Sequence, residues 1–218
     1  MGFLLAGCGS NVVLEAPSIP EPLIEKIPAS IGLQMPPEFN HFVHEEEIIG
    51  REEWSINLSN SNARLFEQLF GHMFEKVTIL NPEDDPQDFA LDALIQPSID
   101  AFEFSVPNQS KTESFAVWIR YRIRVFDEEG DEVANWPVSA YGKSQKTSMT
   151  GSQALQRAAI LAMRDAAALM IMKLDDATGI SKIVEARDAM NAAPATVALT
   201  TPEKEEDVQA EEDEDDSE

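Results

Sequence analysis

Two histidines, His41 and His44, stand beside three consecutive glutamates in the segment HFVHEEE, and these residue types bind metal ions. A zinc site requires three or four convergent ligands that neighbouring groups hold in place. Two prolines come before this segment and favour a loop, and the remaining histidine, His72, falls in a predicted helix. We therefore expect a solvated polar loop and no metal site, with His41 and His44 as the candidate ligands if a metal does bind.

A second chemical motif, Gly142-Lys143-Ser144, matches the end of a phosphate-binding loop. The full pattern also needs a glycine five residues before Gly142, where Pro137 stands instead. The sequence contains no Gly-x-Ser-x-Gly nucleophile motif. Carboxylates are abundant, but no pair is marked as sharing the apolar pocket that acid–base catalysis requires. We therefore expect a non-enzymatic protein without a cofactor.

The single cysteine, Cys8, follows Leu5, Ala6 and Gly7. Small residues let a peptidase close on the backbone, and a thiolate is the nucleophile that accepts a lipid. The stretch resembles the lipobox of bacterial lipoproteins, whose cysteine receives a diacylglyceryl group, becomes the new amino terminus after cleavage and then usually gains an acyl chain such as palmitate. This resemblance implies a truncated signal peptide at residues 1–7 and lipidation at Cys8. A free thiol is the alternative.

The residue after Cys8 is Gly9. In enterobacterial lipoproteins an aspartate at that position favours the inner membrane, so the resemblance implies the periplasmic face of the outer membrane. Two or three acyl chains hold a protein stably on a bilayer, whereas a single chain does so only marginally. We therefore expect the protein to be attached to the membrane by the lipid anchor alone.

Three arginines, Arg120, Arg122 and Arg124, alternate along one predicted strand and share a face with Trp118. The interpretation that we favour is cross-strand pairing with local acids, each pair contributing about 0.2–1 kcal/mol. The acids in reach are Asp100, Glu103 and Glu132. The alternative is a partner-binding strip for an acidic protein, a glycan or a phospholipid head group, and Trp118 would then be part of it rather than a packing residue.

The net charge of the 218-residue chain is −24, and the segment Glu203–Glu218 alone has eleven acids against one lysine. So acidic a chain is repelled by nucleic acids and by anionic lipid head groups. A hydrophobic content of 43% is enough for a core of ordinary size. We therefore expect one globular domain and no binding to nucleic acid.

Composition divides the chain into five parts. Four prolines between residues 9 and 30 favour an extended spacer, and the acidic end is typical of disorder. The expected parts are a truncated signal peptide at 1–7, a proline-rich tether at 8–30, an α+β domain at 31–178, a short helix at 179–193 and a disordered acidic tail at 194–218.

Within the domain, residues 115–126 alternate between apolar and polar side chains, as in a half-buried strand. Gly130 indicates a hairpin loop after it, and Pro137 an edge position or bulge in the next strand. Apolar residues at helical spacing predict one helix near residues 62–77, and an alanine ridge predicts a second after residue 150 that sits close on a sheet. The predicted fold class is α+β, a mixed and mostly antiparallel sheet with two main helices packed on one face.

The segment VWIRYRIRVFDEEGDEVANWPVSAYGKS, followed by ALQRAAILAMRDAAA, resembles small proteobacterial envelope lipoproteins. These have a fold like the amino-terminal domain of TolB and include curli-secretion, penicillin-binding-protein-activator and ABC-transport auxiliary lipoproteins. The resemblance covers about residues 31–175 and carries over no functional residue. It implies a non-catalytic accessory subunit in envelope assembly or transport, with an envelope protein as partner.

Two other functions stay open. An activator of a peptidoglycan synthase would need a tether long enough to cross the cell wall, and about twenty residues are short for that. A periplasmic enzyme that binds a small molecule or a metal would need a convergent polar pocket near His41 and His44. The sequence does not give the oligomeric state.

Overall fold

The structure, a computed structural model, describes residues 10–48, 52–107, 113–145, 150–175, 181–185 and 187–188. The predicted signal peptide, Cys8 and the acidic tail lie outside the described residues, so they stay predictions. Of the predicted short helix at 179–193, residues 181–185 and 187–188 are helical.

The described elements are mostly strands, with two long helices. The strands are β1 (Ser10–Val13), β2 (Ile27–Gln34), β3 (Val43–Ile48), β4 (Glu52–Asn57), β5 (Phe74–Leu80), β6 (Ala93–Ser105), β7 (Ser114–Phe126) and β8 (Glu132–Gln145). The helices are α1 (Pro37–Asn40), α2 (Ser59–Met73) and α3 (Gly151–Asp175), with a 3-10 turn at Pro86–Asp88.

The strands form two mixed sheets. The larger has the order β5-β2-β6-β7-β8, and the smaller has the order β1-β4-β3. In the larger sheet β2 is parallel to β5 and β6, whereas β7 is antiparallel to both β6 and β8. The predicted fold class is confirmed: the fold is α+β, with a mixed sheet. The likeness to the amino-terminal domain of TolB stays a prediction.

The side chains of β7 alternate as predicted, and every second one lies on the buried face of the large sheet. The buried residues are Phe115, Val117, Ile119, Tyr121, Ile123 and Val125. Helix α3 packs on the same side against β7 and β8, and Phe66 of α2 meets Tyr121 edge to face. The small sheet covers the rest of this side, where Trp54 lies against Phe104 and Phe115. Among the described residues, the opposite face of β6, β7 and β8 is exposed at Glu103, Trp118, Arg120 and Tyr141, and we call it the open face.

Helix α3 approaches β8 closely because small residues line the contact. Ala158, Ala162 and Ala166 are fully buried, as the predicted ridge requires. A Cβ added to Gly142 would collide with the backbone of Ala158 and Ala162. The glycine that mimics a phosphate-binding motif is therefore a packing residue, which allows helix and strand to touch backbone to backbone.

The structure corrects the predicted tether at 8–30 from residue 10 onwards. Ser10–Val13 form strand β1, paired in parallel with β4, and Leu14 is buried beneath it. Further along, the ammonium of Lys26 donates to the carbonyl of Gly71, and β2 begins at Ile27. Prolines prevent a helix here, but residues 10–19 still bury apolar side chains against the domain, whereas Leu23 and Ile24 between the later prolines are exposed.

The predicted polar loop around His44 is also wrong, because this segment is strand β3, antiparallel to β4. Its inward positions include His44 and Glu46, and its outward positions include Glu45 and Glu47. Since polar residues occupy both faces, the strand has none of the apolar alternation that reveals β7.

Candidate interaction surface

The predicted site residues stand on the open face of the large sheet. Trp118, Arg120, Arg122 and Arg124 follow one another at every second position of β7, so their side chains point away from α3. In the neighbouring strands they stand opposite Glu103 and other residues that share this face. On this face, residues that stand opposite one another in neighbouring strands form cross-strand rows. The rows differ in how many of their charged side chains have a partner.

Arg122 is at the centre of a hydrogen-bonded row. Its Nε and Nη2 donate to the two carboxylate oxygens of Asp100, at 3.1 and 2.6 Å. Its Nη1 donates to Asn135, whose amide in turn donates to Glu132. The hydrogen bond and the charge of Asp100 raise the pKa of Arg122. The predicted pairing with local acids is thus confirmed for Arg122.

Arg124 is held by a neutral partner and by an aromatic ring. Its Nη2 donates to Gln96 Oε1 at 3.1 Å, and its guanidinium lies 5.4 Å from the centre of the Phe126 ring. Gln96 also donates to Gln34, which donates to the carbonyls of Asn81 and Asp84. Arg124 therefore belongs to a polar network that ties the loop after β5 to the sheet.

Arg120 differs from both neighbours. Among the described residues its exposed guanidinium has no hydrogen-bond or ion-pair partner. Beside it Trp118, 44% exposed, and Tyr141, 43% exposed, stack with ring centres 5.1 Å apart. These three residues and Glu103 line a shallow cleft of about 270 Å³.

This arrangement suits recognition of a planar or anionic group. Trp, Tyr and Arg are the residue types that contribute most to protein–protein binding energy. A guanidinium with free donors binds a carboxylate or phosphate through two parallel hydrogen bonds, and the aromatic pair offers a rigid apolar platform. We call Trp118, Arg120 and Tyr141 the aromatic–arginine cluster.

The histidines do not converge on one point. His41 Nδ1 lies 2.9 Å from the carbonyl oxygen of Pro37, and His44 Nε2 lies 3.1 Å from a carboxylate oxygen of Glu46. The ring of His44 also packs against Phe102. In the described ranges, no three His, Cys, Asp or Glu side chains are grouped as a metal site would need.

Sequence reasoning missed Tyr141, the partner of Trp118. The sequence pointed to Tyr141 only through the register of the β7–β8 hairpin, because the turn at Gly130 and the strand lengths set which residues stand opposite each other. A one-residue bulge where Phe126 pairs with Glu132 displaces that register, so counting from the turn would not have found the pair.

No helix in the described part of the chain has the length and apolarity that crossing a bilayer requires.

Comparisons with known proteins give no family assignment. No family model and no curated sequence matches this chain. Lipoprotein GNA1162 from Neisseria meningitidis is a structural neighbour, with a TM-score of 0.30, 15% identity and coverage of 54% of this chain and 86% of its own. A candidate lipoprotein from Caulobacter crescentus has a TM-score of 0.35 and 11% identity, covering 58% and 80%.

The hypothetical protein CT253 from Chlamydia trachomatis is a third neighbour, with a TM-score of 0.43 and 12% identity, covering 68% of this chain and 98% of its own. All three come from bacteria, and two are described as lipoproteins. At TM-scores below 0.5 these likenesses establish neither a family nor a function for this chain.

Proposed function

We propose that the protein is a lipid-anchored outer-membrane lipoprotein whose domain acts, on the periplasmic face, as a non-catalytic interaction subunit in envelope assembly or transport. The observation that carries the interaction role is the aromatic–arginine cluster. It combines two large exposed rings with an arginine that has no partner among the described residues, on a face whose other arginines are engaged. The anchor rests on the stretch Leu5-Ala6-Gly7-Cys8.

The position of β1 bears on how such an anchored domain would sit. Cys8 precedes Ser10, the first residue of β1, by two positions. Two extended residues span at most about 7 Å. A lipid on Cys8 would therefore keep the domain beside the membrane surface. This geometry favours an accessory role near the membrane over a synthase activator that reaches through the wall.

The anchor is tested first, by intact mass. The chain would be expressed from its natural reading frame in a Gram-negative host, and the inner and outer membranes would be separated. We expect the mass of a diacylglyceryl group plus an acyl chain on a protein that begins at Cys8, in the outer-membrane fraction. Cys8→Ser should abolish both the mass gain and the fractionation. An unmodified soluble product that keeps Met1 would overturn the lipoprotein proposal.

The interaction role is tested separately, by a photo-crosslinking amino acid placed at Ser139 on β8, directly opposite Arg120. We expect one discrete adduct in living cells that disappears when Trp118→Ser is added. The same crosslinker at Glu67, exposed on α2, is the matched control. An adduct that survives Trp118→Ser, or that forms equally from Glu67, would contradict an interaction through this cluster.

The enzyme alternative has its own test. Zinc added to the purified chain should leave the melting temperature unchanged, because His41 and His44 engage different partners. Stabilisation by zinc that is lost in His44→Ala would favour that alternative.

A further inference from the structure

A second surface feature lies at the other end of the open face. Phe126 is eight residues beyond Trp118 on β7, which corresponds to about 27 Å along a strand. There a groove of about 590 Å³ runs between the loop 81–92 and the ends of β6 and β7. Its apolar lining includes Phe89, Leu91, Leu94 and Phe126.

The wall of this groove is fixed by the fold before anything binds. Asp92 Oδ2 accepts from the Ser30 N–H at 2.6 Å, and the Asp92 N–H donates to the Ser30 carbonyl at 2.8 Å. Leu91 also sits directly on β2, since a Cβ on Gly32 would lie 2.7 Å from its Cδ1. Away from these contacts most residues of the loop are exposed, and Phe89, which lines the groove, is 38% exposed.

The groove has an acidic rim. Asp85, Asp127 and Glu128 line it together with the apolar residues. Asp127 is engaged in the hairpin loop, where its Oδ1 accepts from the Asp131 N–H at 2.8 Å. Within the described part of the chain, the exposed Glu128 carboxylate has no hydrogen-bond or ion-pair partner. A ligand that matches both features has an apolar anchor and a positive charge.

The chain itself places a segment with an apolar side chain and positive charges beside this groove. A neighbouring cleft of about 240 Å³ shares Asp127 and Glu128 with the groove, and its other wall is the helical segment that carries Lys182, Ile183 and Arg187. Ile183 is buried there, as the apolar anchor between two cations. This segment also carries two acids, so it is not basic overall, but its two cations and Ile183 are the side chains that line the cleft beside Asp127 and Glu128. Among the described residues the larger groove is open.

We propose that this groove binds a basic, apolar segment of a partner polypeptide, with apolar side chains against Phe89 and Phe126 and a lysine or arginine at Glu128. The proposal deepens the interaction role proposed above by naming a partner chemistry, and it rests on that role. Binding itself involves neither the lipid nor the aromatic–arginine cluster. A failed anchor or crosslinking test is therefore distinguishable from a failed groove test.

The experiment measures fluorescence anisotropy of a labelled heptapeptide, KLFKLFK, with the purified full chain at about 150 mM salt, where exposed charges farther apart than about 8 Å are screened. A second probe, KSSKSSK, has the same charge without apolar anchors, and it reports any non-specific attraction to the acidic chain. We expect the first peptide to bind at least tenfold more tightly than the second.

Two variants locate the binding. Phe89→Ser and Glu128→Lys should each weaken the heptapeptide at least fivefold. Their matched controls are Leu161→Ser, at 38% exposure on α3, and Glu45→Lys, an exposed acid on β3, and these should change it less than twofold. Circular dichroism melting of every variant identifies any that fails to fold.

Three outcomes would overturn the proposal. The first is equal binding of both peptides, and the second is equal loss in the variants and their controls. The third is saturable binding of dodecylamine that depends on Phe89 while the heptapeptide does not bind, which would make the groove a site for a small cationic amphiphile.

Discussion

The two faces of strand β7 differ in what determines each residue. On the core face Val117, Ile119 and Tyr121 are buried against helices and the small sheet. On the open face Arg122 and Arg124 donate hydrogen bonds to side chains of neighbouring strands, whereas Arg120 has no hydrogen-bond or ion-pair partner among the described residues. The space in the core therefore limits which side chains fit on the first face, whereas partners in the neighbouring strands limit which side chains suit the second.

This difference shows where the strand has freedom to serve a function. A buried position cannot change without a cavity or a collision. An open-face position with a partner supports the sheet, but one without a partner contributes little to folding. The aromatic–arginine cluster lies where the structural constraint is weakest, so substitutions there should separate binding from stability more cleanly than any on the core face.

The largest effect is expected where backbone meets backbone behind β8. Gly142→Ala places a methyl group against the backbone of Ala158 and Ala162, which cannot rotate away, so α3 must shift outward. Overpacking of this kind costs about 1–3 kcal/mol or more, and backbone contacts put it at the upper end. Urea unfolding measures it. Gly71→Ala is the matched control, since its Cβ meets nothing within 4 Å and alanine favours a helix by about 0.8–1 kcal/mol. Equal stability of Gly142→Ala and the native chain would contradict this contact.

A smaller effect is expected at the one hydroxyl of β7 that faces the core. Tyr121 is fully buried, and its hydroxyl donates to Asn62 Oδ1 at 2.8 Å. Tyr121→Phe leaves that buried oxygen without its donor, at a cost of about 1–3 kcal/mol. Denaturant unfolding at neutral pH measures this cost, with Tyr141→Phe on the open face as the control.

The same residue gives a pH dependence. Burial raises the pKa of Tyr121 in the folded chain. An unfolded tyrosine ionises near pH 10, so above that pH the unfolded state releases a proton that the folded state retains. The contribution is present below about pH 10 and is lost as the pH rises further. Tyr121→Phe should flatten the decline in unfolding free energy between about pH 10 and 11.5, whereas an unchanged slope would exclude Tyr121 as its source.

A still smaller effect is expected at the edge of the sheet, where α3 side chains cap β8. Asp165 Oδ2 accepts from the Tyr141 N–H at 3.0 Å, and Lys173 Nζ donates to the Pro137 carbonyl at 2.9 Å. Unpaired edge groups invite strand pairing with another chain. Asp165→Ala should cost about 0.5–1.5 kcal/mol in urea unfolding and increase self-association in concentration-dependent sedimentation. Glu67→Ala on α2 removes an exposed helix carboxylate and should do neither. A monomer of unchanged stability would show that this edge needs no cap.

Local pattern was sufficient to predict the core of the fold, and long-range pairing was not. The alternation of β7, the alanine ridge and the edge position of Pro137 are all confirmed, because each depends on spacing within one element. Strand β1 was missed because its four residues form a strand only by pairing with β4, more than forty residues later. Strand β3 was missed because its inward positions hold the half-buried polar residues His44 and Glu46, whereas a strand is recognised in a sequence by apolar residues at such positions.

The candidate site divides in the same way. The arginine row was visible as a period of two, but which arginine has a partner depends on register across three strands. The groove at Phe89 was not predictable, because its walls come from a turn-rich loop and two strand ends that only the folded sheet brings together.

The smallest effect on stability, and the most informative result about function, is expected from comparing the removal of Arg120 with the removal of Arg122. Arg120→Ala removes a guanidinium with no partner among the described residues, so the unfolding free energy should not change, while the adduct from a crosslinker at Ser139 should weaken. Arg122→Ala breaks the row from Asp100 to Asn135, so it should lower stability slightly and leave the adduct intact. The reverse pattern would show that binding uses the paired row, and that the lone guanidinium beside Trp118 supports the sheet through water rather than a partner.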